Sequence, residues 1–119
     1  VRIRQHTIML MNTLNMTAAF SLWLESLTDR QLKARVITRI ANARLGNFGD
    51  CKSVGQGVFE MRIHAGKGWR IYYAQEGKNV YLLLDAGSKA TQQRDIETAI
   101  ELWMLIKKRN DDETKPKHN

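Results

Sequence analysis

Two short segments carry the side chains best suited to chemistry on a phosphate ester: Glu60-Met61-Arg62-Ile63-His64 and Trp69-Arg70-Ile71-Tyr72-Tyr73. Polar and apolar residues alternate in both, which is the period of an extended strand. Arg62 and His64 should therefore leave the backbone on one side, with Phe59, Met61 and Ile63 on the other. Arg70 and Tyr72 likewise oppose Trp69, Ile71 and Tyr73. The linker Ala65-Gly66-Lys67-Gly68 has the composition of a hairpin turn, so the two polar rows are expected side by side on one sheet face. Lys89 follows the next strand and reaches the same rim.

This set suits cleavage of RNA by its own 2′-hydroxyl. That hydroxyl must lose a proton, phosphorus must tolerate extra negative charge, and the leaving 5′-oxygen must gain a proton. Arg62, Arg70 and Lys89 meet the second need through charge-assisted hydrogen bonds. His64 supplies an imidazole, the side-chain type suited to proton transfer near neutral pH. Tyr72 is expected to stack on a base or donate a hydrogen bond, and Lys67 and Lys52 to bind RNA. No metal site or cofactor is expected, because His6, His64 and His118 are scattered and Cys51 has no companion. Gly55 and Gly57 read as turn glycines rather than a phosphate loop. Arg94 and the pair Arg35 and Arg39 read as surface charges, and Cys51 as an incidental loop thiol.

The elements that must position these residues follow from the rest of the pattern. Met9 to Asn15 reads as a first strand. Thr17 is placed to cap a helix, with Phe20, Trp23, Leu24 and Leu27 at i, i+3, i+4 and i+7. Asp29 caps a second helix whose buried stripe is Leu32, Val36 and Ile40, with Ile37 alongside. A link of about two residues makes the two helices an antiparallel hairpin. Gly46 stops the second helix. Three strands then meander from Val58 to Asp85, the last of them apolar and so central. A final helix starts near Thr91, with Ile96, Ala99, Ile100 and Trp103 as its apolar stripe. The expected class is α+β, with N-terminal strand, helical hairpin, three-stranded antiparallel meander and C-terminal helix, the helices on one face of the sheet. Trp23 and Trp103 are assigned to the core.

Composition sets the frame. The chain has 119 residues, 43% hydrophobic and 26% charged, which fits one globular domain. Its organisation reads as a flexible extension over 1–8, a domain over 9–106 and a disordered charged tail over 107–119. Met9, Met11 and Met16 each offer an alternative start. No apolar run nears the roughly 20 residues of a membrane span, and no signal-peptide pattern is seen. The single cysteine rules out an internal disulfide and fits a cytoplasmic protein. Nineteen basic against twelve acidic residues give a net charge of +7. The tail from Lys107 holds five basic and three acidic residues, so +5 belongs to the rest. A surplus of this size suits an anionic partner such as nucleic acid or an acidic protein segment.

Several strings in order complete a resemblance: Leu45-Gly46-Asn47-Phe48-Gly49-Asp50, Lys52-Ser53-Val54-Gly55-Gln56-Gly57-Val58, Glu60-Met61-Arg62-Ile63-His64, Gly68-Trp69-Arg70-Ile71-Tyr72-Tyr73, and Gly87-Ser88-Lys89 with Gln92-Gln93-Arg94-Asp95-Ile96. From about Asn12 to Trp103 the chain resembles the RelE/ParE superfamily of toxins from type II toxin–antitoxin systems, in its HigB-like addiction module killer branch. The resemblance implies a toxin neutralised by a cognate antitoxin, possessing a hetero-oligomeric state with it. It also implies mRNA cleavage on the ribosome through basic residues of the sheet, which fall here on Arg62, Arg70 and Lys89. The chain departs from RelE in carrying Glu60 and Arg62 where RelE has more lysines. It also lacks a match to RelE's C-terminal tyrosine, a role for which His64 can stand in. Two other readings use the same fold: a ParE-like inhibitor of DNA gyrase, and a non-catalytic nucleic-acid-binding protein.

Overall fold

The computed structural model describes residues 11–114. Among them, β1 (Thr13–Met16) is followed by α1 (Ala18–Ser26), α2 (Arg30–Arg44), β2 (Cys51–Gly55), β3 (Val58–Ile63), β4 (Trp69–Gly77) and β5 (Val80–Ser88). A 3-10 turn then leads into α3 (Gln92–Thr114). The strands form one five-stranded sheet in the order β1-β5-β4-β3-β2, with β1 parallel to β5 and the other pairs antiparallel. The α+β class holds, and the expected order of elements is kept except for one added strand, β2.

The caps act as the sequence suggests. The Thr17 hydroxyl accepts from the Phe20 amide at 3.1 Å and donates to the Leu84 carbonyl at 2.6 Å. One residue thus starts α1 and fastens it to β5. Asp29 Oδ1 accepts from the amides of Gln31 and Leu32 at the start of α2. Phe20, Leu32, Val36 and Ile40 then pack on Met61, Ile63, Ile71, Tyr73 and Leu83, which form the apolar row of one sheet face. Trp23 packs against this core. Ile37 does not join the stripe and is 51% exposed.

Three features differ from expectation. First, β2 was not foreseen. Only Val54 among its residues escapes full exposure, so it lacks the hydrophobic alternation that reveals a strand. It is specified by its turn instead: Gln56 and Gly57 both have positive φ, 54° and 82°, the geometry that closes tight hairpins. Second, the helices do not share one face. Ala99 and Trp103 of α3 pack on Val58, Tyr72, Ala74, Leu82 and Leu84, on the side opposite α1 and α2. The reason lies in β5, which is apolar on both sides and needs two covers. Third, α3 continues through Lys107 to Thr114, well into the segment read as a tail. Lys107 Nζ sits 5.9 Å from the Trp103 ring centroid, a cation–π contact that extends the packed part of the helix. The 1–8 extension and residues 115–119 lie outside the described residues.

Trp103 holds α3 to the sheet, so Trp103→Ala should cost about 3–5 kcal/mol. Urea unfolding checks this, with Met104→Ala, on the exposed side of α3, expected to change stability by no more than about 0.5 kcal/mol.

Candidate functional site

The second sheet face changes character along its strands. Cross-strand neighbours share a face, and the register sets Val58 beside Ala74, Glu60 beside Tyr72, and Arg62 beside Arg70. The row therefore runs from apolar through acidic to basic. Trp103 and Ala99 cover its apolar end. Gln92, the first residue of α3, lies over Glu60, and the arginines emerge beyond it.

Glu60 is completely buried. Its Oε2 accepts from Gln92 Nε2 at 2.8 Å. Its Oε1 lies 3.5 Å from Arg62 Nε and 3.7 Å from Arg70 Nε. These are ion-pair distances too long for hydrogen bonds, and all three atoms are buried without a hydrogen-bond partner. The Arg70 side chain is 12% exposed and that of Arg62 32%, so Arg62 is the more accessible cation. Arg70 Nη1 donates to the Gly68 carbonyl at 2.7 Å, and the Lys89 amide donates to the same oxygen at 2.8 Å. The turn before β4 thereby ties Arg70 and Lys89 together.

Asp50 completes the rim from the loop that precedes β2. Its Oδ2 lies 2.6 Å from His64 Nε2, and its Oδ1 is 3.9 Å from Arg62 Nε. The imidazole is otherwise open, with the side chain 74% exposed. Asp50 is fixed from behind: its carbonyl accepts from the Arg62 amide at 2.8 Å. Arg39 of α2 binds the carbonyls of Arg62, Phe48 and Asp50, and a Cβ on Gly49 would lie only 2.8 Å from Arg39 Nη2. Arg39 is thus no idle surface charge, as the sequence had suggested. It clamps the Gly49-Asp50 loop to β3. Arg35 likewise donates to the His64 carbonyl at 3.2 Å.

Of the candidate residues, Arg62, His64 and Arg70 are linked through Asp50 and Glu60, and the exposed Lys89 adjoins them through its backbone amide on the Gly68 carbonyl. Lys67 is exposed on the adjoining turn, and Lys52 is exposed opposite Glu60 on β2. Tyr72 is a correction. Its ring is fully buried under α3, so it cannot stack on a base. Burial, then the Glu60 charge, pushes its phenol well above the ordinary range. Asp50, Glu60, Gln92 and Arg39 were missed. Only Glu60 left a trace in the sequence, as a carboxylate in an otherwise basic row. No group of three His, Cys, Asp or Glu side chains able to hold a metal occurs among the described residues, and no described helix is long and apolar enough to cross a membrane.

The His64 contact, with help from Arg62 and Arg39, holds the Asp50 carboxyl below its ordinary pKa. A carboxyl lowered on folding stabilises the fold above its unfolded pKa, and that contribution is lost as pH falls through the folded value. An NMR titration should find Asp50 still ionised below the ordinary carboxylate midpoint. His64→Ala should raise its midpoint; an unmoved midpoint would contradict the pairing.

With the geometry in place, similarity to known proteins is informative. Residues 23–104 match the family of the phage-derived protein Gp49-like (DUF891). An uncharacterized protein of Haemophilus influenzae is 42% identical over 83 residues, which cover 70% of this chain and 84% of the relative. The matched region runs from Trp23 to Met104 and so takes in the last turn of α1, all of α2, strands β2 to β5, the whole arginine cluster and the packed half of α3. The chain belongs to the phage-derived Gp49-like family, a toxin-like family of the RelE/HigB type.

Proposed function

We propose that this protein is the toxin of a toxin–antitoxin pair and acts as an endoribonuclease on mRNA held by the ribosome. The observation that carries this reading is the side-by-side placement of Arg62 and Arg70 next to an exposed, carboxylate-held imidazole. In this reading the guanidiniums bind the scissile phosphate and offset the charge that develops on its oxygens. Lys89 adds a cation at the rim. His64 transfers the proton, with its Nε2 held by Asp50 and its other ring nitrogen left to face the RNA. The 2′-oxygen attacks phosphorus, the 5′-oxygen leaves, and the products are a 2′,3′-cyclic phosphate and a 5′-hydroxyl end. Lys52 and Lys67 hold flanking backbone. The ribosome places the activity in the cytoplasm. A cognate antitoxin of acidic or apolar surface neutralises the +7 toxin.

Cell-free translation with the purified protein, followed by primer extension, tests the reading. Cuts within codons that require ribosomes are expected. Arg70→Ala should abolish them, and His64→Gln should lower their rate by about 10²-fold or more. Full activity of the His64 variant would remove His64 from proton transfer. Intact mRNA together with DNA breaks would point to gyrase instead.

A further inference from the structure

Glu60 does not fit the site as a simple participant. It is a carboxylate with no exposed surface, set where extra positive charge would help to bind a polyanion. A buried charge is costly unless paired, so its retention calls for a role. It faces two guanidiniums through their Nε atoms at 3.5 Å and 3.7 Å. A guanidinium held along its Nε edge has the plane of its remaining N–H groups fixed. For Arg70 the terminal Nη1 is also held, by the Gly68 carbonyl at 2.7 Å, so this guanidinium is fixed at two points. The second Glu60 oxygen is held by Gln92 at 2.8 Å. Gln92 opens α3, and α3 approaches β5 so closely there that a Cβ on Gly87 would fall 2.0 Å from Asp95 Oδ2. The carboxylate is therefore fixed to the sheet by its own strand and to α3 by one hydrogen bond.

We propose that Glu60 and Gln92 are positioning residues: Glu60 aims both arginines at the phosphate, and Gln92 makes that aim depend on the seating of α3. The proposal rests on the endoribonuclease reading for its consequence and on the Glu60 geometry for its basis. It carries a signature that a merely structural role does not. Removing the Glu60 charge frees the arginines electrostatically while it disorients them. Affinity for RNA and turnover should then move in opposite directions.

The test uses the full chain, with a short single-stranded oligoribonucleotide for binding and ribosome-bound mRNA for cleavage. Glu60→Gln should bind the oligonucleotide about two- to tenfold more tightly at low salt, with a steeper salt dependence, while kcat falls about 10²-fold. Gln92→Ala leaves the charge unchanged. It should keep affinity within about twofold, lose about tenfold in kcat, and melt close to wild type. In both variants the Nε–H NMR signals of Arg62 and Arg70 should move. Wild-type turnover with unmoved Nε signals in Gln92→Ala overturns the proposal, as does a Glu60→Gln protein that loses affinity and turnover together. If Glu60→Gln does not fold, the Gln92 variant decides alone. If the wild-type protein does not cut RNA, the endoribonuclease reading fails, and the Nε signals and the binding measurement still decide whether the two residues orient the arginines.

Discussion

A carboxylate with no access to water governs how the second face of the sheet is built. Glu60 lies in the middle of β3, beneath α3. An ion in that position must be compensated by charge and by hydrogen bonds or the fold will not tolerate it. The compensation comes from three elements: Arg62 on the same strand, Arg70 on β4, and Gln92 at the start of α3. The residues that satisfy the core are thus the residues proposed to meet the phosphate. Stability and function are not separable here, because removing either arginine would leave a buried carboxylate short of positive charge as well as a site short of a cation.

The same constraint explains why the site sits at the end of α3 rather than in the open middle of a sheet. Trp103 and Ala99 need apolar partners, and Val58, Ala74, Leu82 and Leu84 supply them. Beyond Tyr72 the face becomes polar, and a helix laid farther along it would bury groups it could not satisfy. The helix begins at that boundary. Gly87 allows its first turn to approach β5, and the 3-10 turn at Lys89 carries the chain from the sheet edge up to the helix. The Gly87-Ser88-Lys89 string is therefore a packing device as well as the source of a basic side chain.

The cation pair was legible in the sequence because strand alternation is local and unambiguous between Glu60 and Tyr72. The caps at Thr17 and Asp29 were legible for the same reason: each acts on amides two or three residues away. What lay hidden depends on contacts across long separations. Arg39 and Asp50 meet only because α2 packs on the sheet face that carries Met61 and Ile63, and no spacing rule links a helical arginine to a loop carbonyl. β2 is an exposed edge strand, so burial imposed no hydrophobic period on it. Tyr72 was misplaced by one assumption, that a single layer of helices covers the sheet. Alternation correctly gave its side of the strand, but a side of a strand is not a solvent-exposed surface. The apolar character of β5 on both sides was the available clue that a second cover existed.

Charge accounting around the cluster bears on how such a protein would engage RNA. Arg62 and Arg70 contribute two positive charges, and Glu60 and Asp50 two negative ones, all linked by contacts of 3.9 Å or less. With His64 neutral the formal sum is zero, so the reacting centre has geometry but little net attraction for a polyanion. Long-range attraction must come from the charges outside it, including the exposed Lys52, Lys67 and Lys89, and it is screened within about 8–10 Å at physiological salt. A centre of this kind grips free RNA poorly and gains most from a substrate already held in place, since positioning rather than affinity then limits the rate. That is the physical sense in which the proposed dependence on the ribosome agrees with the site: the larger particle supplies the binding that a neutralised cluster gives up in order to keep its arginines fixed.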